Sequence, residues 1–213
     1  MQKKVRRPDS QPYHHGDLRR ALIDTALELV TEEQDWAFSL REVARRAGVS
    51  HQAPYNHFPE KQDLLAAVAV VGFERLRDGM LRAMAGIDDP ETLVAVIGRT
   101  YVHLGLENPA LYRLMFGSAL ADVGPGDRPM IARSAGARTR AVLEEVIERG
   151  AGSGVFAVSA DNPKNQILAA HVFWSAVHGL ITLAIDRLMA PDVTVDDMIE
   201  QLLRIQIKGL RKD

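Results

Sequence analysis

A chain of 213 residues, 46% hydrophobic and 25% charged, has the composition of an ordinary soluble globular protein with room for one large domain or two modest lobes. The absence of cysteine excludes disulfides, thiolate zinc sites and a cysteine nucleophile, and fits a reducing compartment. The formal charge of −2 is unevenly spread: residues 1–62 hold 10 Lys/Arg against 9 Asp/Glu, whereas residues 63–213 hold 16 against 19.

Lys3, Lys4, Arg6 and Arg7 open the chain as a basic cluster with no acid among them. Such an arm either follows a DNA minor groove, where arginine is drawn to narrow A·T tracts, or merely solubilises the terminus. It leads into no apolar signal region, and no apolar run approaches twenty residues, so a cytoplasmic protein without membrane association is expected.

A first amphipathic helix is predicted over 17–33. Ser39 and Glu42 have capping-box spacing and start a second helix near Leu40. Val43, Ala44 and Ala47 form its apolar stripe, and Gly48 supplies the positive φ that ends it. Val49 then packs into the angle while Ser50 caps a third helix over 51–57. Two short helices joined by a tight turn, with small Ala44 at their crossing, form a helix-turn-helix, whose second helix enters a DNA major groove. A plain helical corner with a solvated polar face is the alternative.

The side chains of that third helix suit DNA. Gln52 can bond an adenine edge, His51 can donate to guanine, and the Ala53 methyl can pack on thymine. Tyr55, His57 and Lys61 suit phosphates, Ser50 and Asn56 complete the polar face, and Arg41 on the preceding helix is placed for a groove contact. Pro54 removes one backbone donor and clashes with an earlier carbonyl unless it falls in the first turn.

From Asp17 to Leu65 the sequence resembles the amino-terminal domain of the TetR family of transcriptional regulators. The resemblance rests on the first helix 18–30, Ser39-Leu-Arg-Glu-Val-Ala44, Ala47-Gly-Val-Ser50, Tyr55-Asn-His-Phe58 and Lys61-Gln-Asp-Leu-Leu65. It implies that Tyr55 and Lys61 clamp phosphates while Arg41, His51 and Gln52 read bases. Two features depart from the family pattern: Glu33-Gln-Asp-Trp-Ala-Phe38, where a glycine is common, and Pro54 itself.

Beyond Glu60 the helix starts are marked by Asp89-Pro90, Asn108-Pro109 and Asn162-Pro163, each a capping residue before proline at the first helical position, and by Thr194 with Asp197. Helices are predicted over 60–85, 90–107, 109–117, 128–150, 163–189 and 195–211, with loops over 122–129 and 150–154. The expected architecture is all-α, nine helices in two lobes: a flexible basic arm (1–16), a three-helix DNA-binding domain (17–62) and a helical effector-binding and dimerisation domain (63–213).

The penultimate helix carries Ile167, Leu168, Val172, Trp174, Ile181 and Leu183 among others and reads as buried nearly all round; the last has a stripe of Val195, Met198, Ile199, Leu202, Leu203 and Leu210. A homodimer in which these two helices and their mates form a four-helix bundle covers both faces and spaces two recognition helices for a palindromic DNA operator. A wholly intramolecular core is the alternative. Trp174-Ser-Ala-Val-His178-Gly179 resembles the Trp-x-x-x-His-Gly signature of one TetR carboxy-terminal type. With His171 and Ser175 it forms a face that either lines an effector pocket or packs as a seam.

Met80, Met84, Tyr101, Tyr112, Met115, Phe116 and Phe173 are further pocket candidates, with Arg99 and His103 as the charges placed to look inward. Gly98, Gly105 and Gly117 either loosen the middle helices or let them pack closely. The effector expected there is a small, largely apolar molecule with a few polar contacts. The sequence holds no phosphate loop, no H-E-x-x-H and no metal-ligand cluster; His171 and His178 lie about 10 Å apart along one helix, too far to share a metal. No catalytic residue, metal or cofactor is therefore expected. The expected function is a ligand-responsive repressor; the alternative is a helical interaction module that does not bind DNA.

Overall fold

The computed structural model describes residues 15–120 and 128–212. The basic arm at Lys3–Arg7 and most of the predicted loop 122–129 lie outside the described residues. Eight α-helices are present among the described residues: α1 (His15–Glu33), α2 (Leu40–Arg46), α3 (Lys61–Met84), α4 (Pro90–Glu107), α5 (Pro109–Phe116), α6 (Arg128–Gly152), α7 (Pro163–Ile185) and α8 (Val195–Leu210). Two short 3-10 turns, Ala53–Asn56 and Ser118–Leu120, complete them. Extended structure among the described residues is a single antiparallel bridge, Phe156 to Arg211, which ties the end of α8 to the α6–α7 loop.

Local chemistry sets the helix starts. Ser39 accepts from the Glu42 amide at 3.2 Å, Asp89 from Thr92 at 2.8 Å, and Asn108 from Leu111 at 3.0 Å. Asn162 caps α7, and Thr194 with Asp197 forms a reciprocal capping box on α8. Each satisfies amide donors that the first helical turn leaves without partners. Gly48 adopts φ +70°, and its neighbour's amide reaches back from Val49 to the Ala44 carbonyl at 3.0 Å.

The predicted third helix over 51–57 is corrected. His51 and Gln52 form a turn, and regular structure is confined to the 3-10 segment Ala53–Asn56. Pro54 is the cause: without an N–H it cannot continue an i→i−4 ladder, and it sits buried in the first turn, where that loss costs least. Helix α7 also ends earlier than predicted. Arg187 takes φ +56° and Leu188 bonds back to the Leu183 carbonyl, stopping the helix at Ile185.

Two hydrophobic clusters share the molecule. One joins α1, α2, the first half of α3 and the inner face of α5; Leu22, Leu29, Val43, Phe58 and Leu64 are essentially inaccessible there. The other joins the second half of α3 with α4, α6, α7 and α8, centred on Phe173, Ile181, Ile147 and Ile199. Helix α3 runs through both, and α5 bridges them: Leu111 and Leu114 face the first, Tyr112 the second. Asn108 at the α4–α5 corner also donates to Thr31 near the end of α1 at 2.7 Å.

The expectation of a penultimate helix buried nearly all round fails for the single chain. Ala170, Phe173, Val177, Leu180 and Ile181 face the core, but Leu168 is 61% exposed and Val172 52%. By length and composition α7 is apolar enough to cross a membrane, yet its inner face is core packing. Arg99 and His103 do not look inward either: Arg99 is half-buried and His103 exposed, and they reach Glu200 (2.5 Å) and Asp196 (3.8 Å) on α8. Gly98 and Gly105 serve close packing, since a Cβ at Gly98 would lie 2.6 Å from Leu203 and one at Gly105 would lie 2.8 Å from Ile181.

Candidate nucleic-acid interface and effector cavity

The α2–turn–3-10 unit projects its polar residues outward from a small apolar anchor. Pro54 and Phe58 are buried, and the Phe58 amide donates to the Pro54 carbonyl at 2.8 Å. With those two side chains fixed inside, Ser50, His51, Gln52, Tyr55 and Asn56 are exposed, whereas Ala53 and His57 are half-buried. The guanidinium of Arg19 lies 5.2 Å over the Phe58 ring, fixing α1 against this corner.

The basic residues divide by partner. Arg45 is held by Glu42 at 2.6 Å, and that bond keeps the glutamate below the ordinary carboxylate range. Arg46 pairs with Glu32 on α1. Arg41 is exposed and, among the described residues, has no carboxylate partner. Lys61, the first residue of α3, rests its ammonium 5.2 Å from the Phe38 ring centroid; burial pushes it below the ordinary lysine value and nearby Asp35 opposes the change. A lysine that burial has partly stripped of water gives up less hydration on meeting a phosphate.

A second site lies where α3, α4, α5, α6 and α7 meet: a cavity of about 600 Å³. Of the predicted pocket residues, Met80, Tyr101, Met115, Phe116, Phe173 and Trp174 line it. Tyr112 and His178 line a smaller adjoining recess of about 200 Å³, and Met84 packs against the core instead. Sequence reasoning missed the α6 wall, including Arg133, Gly136, Thr139 and Arg140. Its signal was the small residues Ala132, Gly136 and Ala137 set at helical spacing among arginines. Small side chains on one wall facing Phe73, Phe116 and Phe173 leave the space open.

A hydrogen-bond chain runs behind this cavity. Trp174 Nε1 donates to Tyr101 Oη at 2.8 Å, Tyr101 and Tyr112 hydroxyls are 3.2 Å apart, and Tyr112 Oη lies 2.5 Å from His178 Nδ1. With a neutral His178 accepting at Nδ1, every proton is used in one direction: Trp174 to Tyr101 to Tyr112 to His178. Burial pushes Tyr101 up to about 12 and Tyr112 higher still, and it lowers His178, so the neutral chain is the favoured form. His171 takes no part; its Nδ1 is 2.8 Å from the Ile167 carbonyl.

Comparison with known proteins fits both sites. Residues 22–68 match the family of bacterial regulatory proteins called tetR, and residues 94–205 match the tetracyclin repressor-like carboxy-terminal domain. The HTH-type transcriptional regulator BetI of Rhizobium meliloti (strain 1021) is 33% identical over 81 residues, 38% of this chain and 40% of that protein. The chain spans less than half the length of the curated relatives it matches. A solved structure of a protein with unknown function from Rhodococcus sp. RHA1 is 30% identical, covers 95% of this chain and 100% of its own, and superposes with a TM-score of 0.78. A TetR/AcrR-family regulator from Thermobifida fusca YX-ER1 shares the fold at 21% identity, covering 92% of this chain and 100% of its own with a TM-score of 0.64. With one domain model on the helix-turn-helix and the other spanning more than half of the chain over the cavity, the chain belongs to the TetR family of bacterial regulatory proteins.

Proposed function

We propose that this chain is a DNA-binding transcriptional regulator: a homodimeric repressor that holds a palindromic operator and is released by a small, largely apolar effector. The observation that carries this reading is the exposed row Ser50, His51, Gln52, Tyr55 and Asn56, anchored by buried Pro54 and Phe58 and flanked by Arg41 and Lys61. Tyr55 and Lys61 bind phosphates, with His57 and Asn56 beside them; Arg41, His51, Gln52 and Ala53 address base edges. Residues 17–62 are the DNA-reading part and residues 63–213 the effector-binding and dimerising part, with the border inside α3. The protein works in the cytoplasm, has no catalytic role and uses no cofactor.

Dimerisation is supported by the outer face of α7, where Leu168, Val172 and Leu183 are exposed and a Cβ on Gly179 would meet nothing within 4 Å. The carboxy-terminal part is of the Trp-x-x-x-His-Gly type, Trp174 and His178 holding the two ends of the hydrogen-bond chain. An effector in the cavity presses on Met115 and Phe116 of α5, and α5 reaches α1 through Asn108 and Thr31. A shift of a few kcal/mol in the preferred spacing of the two DNA-reading units suffices to release an operator.

The test is binding of the purified protein to a palindrome from its own promoter region. Tyr55→Ala and Lys61→Ala should each weaken binding at least about tenfold, and affinity should fall steeply with salt. Tight binding unaffected by either change refutes the docking. One observation favours a second reading: regular structure in the recognition segment is only four residues long. A helical interaction module without DNA binding fits that, and the absence of any salt-dependent DNA shift would select it.

A further inference from the structure

We infer that the cavity takes a monoanionic amphiphile, an acyl-chain carboxylate, with its acid group held at the α6 wall by Arg133. The inference rests on the reading of this cavity as an effector site and specifies the chemistry that site selects.

Most of the lining is apolar, built by Phe73, Met80, Ile97, Leu143, Phe173 and Val177 among others. Apolar surface of that extent suits a hydrocarbon body. Besides Trp174, whose indole N–H is given to Tyr101, four polar side chains line it: Tyr101, Thr139, Arg133 and Arg140. The first two are already spent. Tyr101 accepts from Trp174 and bonds Tyr112, and the Thr139 hydroxyl lies 3.0 Å from the carbonyls of both Phe73 and Ala135. Polar recognition of a ligand therefore falls to the two arginines.

Their charges are not equivalent. Arg140 is half-buried, its guanidinium is 5.9 Å from the Trp174 ring centroid, and its Nε donates to Glu144 at 3.1 Å. Glu144 neutralises it. Arg133 lies two turns earlier on the same face of α6, is exposed, and has no carboxylate partner among the described residues. No described carboxylate lines the cavity. Among the described residues the site thus carries one uncompensated positive charge at the edge of an apolar chamber. A single negative charge satisfies it; a cationic ligand meets repulsion, and a neutral one leaves the charge unused. Guanidinium pairs with carboxylate in bidentate geometry, which makes a carboxylate the natural head group. Arg140, which also lines the cavity, is the second donor and sets the orientation of the chain.

The experiment uses the full-length protein and three probes of equal chain length: dodecanoate, dodecanol and dodecyltrimethylammonium. Each is titrated below its micelle concentration against a bound neutral fluorophore, N-phenyl-1-naphthylamine. Dodecanoate should bind at least about tenfold more tightly than dodecanol, and the ammonium least of the three. In Arg133→Gln the acid should fall to the level of the alcohol while dodecanol is unchanged; thermal unfolding of the variant checks that it is folded. Arg133→Lys should restore part of the preference. Equal binding of acid and alcohol, or an acid preference that survives Arg133→Gln, overturns the inference and leaves the cavity's effector role standing. Failure of all three probes to displace the fluorophore overturns the inference; failure of the fluorophore itself to bind overturns the reading of the cavity as well.

Discussion

Tyr112 on α5 and His178 on α7 are joined by the shortest contact in the buried hydrogen-bond chain: phenol oxygen to Nδ1 at 2.5 Å, rings 5.4 Å apart. The contact ties the short helix that bridges both hydrophobic clusters to the helix that carries the outer apolar face. Removing the hydroxyl in Tyr112→Phe takes the acceptor from the Tyr101 hydroxyl proton, leaving Tyr101 only the Trp174 N–H, and takes the donor from His178 Nδ1. Leaving buried polar groups unpaired costs about 1–3 kcal/mol, so the urea midpoint of the variant should drop accordingly.

The same pair predicts a pH dependence. Burial holds His178 below its ordinary value of 6.5. As pH falls from that value the unfolded chain takes up its proton first, so the folded state loses stability progressively down through the lower folded pKa. Above the ordinary value the contribution is complete. Denaturation of the wild type near pH 7.5 and near pH 5.5 should show a lower midpoint in acid, and His178→Gln, which cannot titrate, should show a smaller drop. A drop as large in the variant as in the wild type assigns the effect elsewhere.

Gly98 on α4 gives a packing prediction. A Cβ there would lie 2.6 Å from Leu203 and 2.8 Å from Phe173, which pack α8 and α7 against α4. Overpacking of this kind costs roughly 1–3 kcal/mol, although alanine is the better helix former by about 1 kcal/mol. Gly98→Ala should therefore destabilise, and a neutral or raised denaturation midpoint would show that Leu203 and Phe173 can move aside.

Much of this was legible in the sequence wherever one turn of chain decides the outcome. The caps at Ser39, Asp89, Asn108, Asn162 and Thr194 are where the side-chain chemistry puts them, because each bonds an amide three residues on. Pro54 was visible as an irregularity, but its confinement of the recognition segment to a 3-10 turn depends on burial of its ring with Phe58, which is tertiary. The same holds for α7: composition gives its apolarity, whereas which face meets the core depends on α4, α6 and α8. The α6 wall was missed because a cavity is set by what packing leaves empty, and arginines among alanines read as an exposed face. Arg99 and His103 were misplaced because interhelical pairing with Glu200 and Asp196 rewards facing outward.

Phosphate and base contacts separate in their salt response. Lys61→Ala should reduce the slope of log affinity against log salt by about 1 per DNA-reading unit and weaken all sequences alike. Arg41→Ala, which removes a cation placed for a groove contact, should instead alter the preference among operator variants, at about 1–3 kcal/mol for the position it reads. Anisotropy titrations at several salt concentrations with an operator and point variants distinguish the two patterns. A uniform loss from Arg41→Ala would move that residue to the phosphate class.

The outer face of α7 makes the assembly testable without DNA. Leu168, Val172, Gly179 and Leu183 recur at helical spacing on the side away from Phe173 and Ile181, and the first two are more than half exposed. An apolar stripe of that length on a water-facing helix is stabilised only by covering it, and an isologous contact covers two copies at once. A glutamate at Val172 would sit in the middle of that contact, where a desolvated and unpaired charge costs several kcal/mol, but it would touch little within its own chain. Val172→Glu should therefore turn a dimer into a folded monomer by sedimentation velocity, with helix content unchanged. Operator binding should fall with it, because one recognition unit alone lacks the paired half-site. A Val172→Glu protein that sediments as a dimer would place the interface on another face.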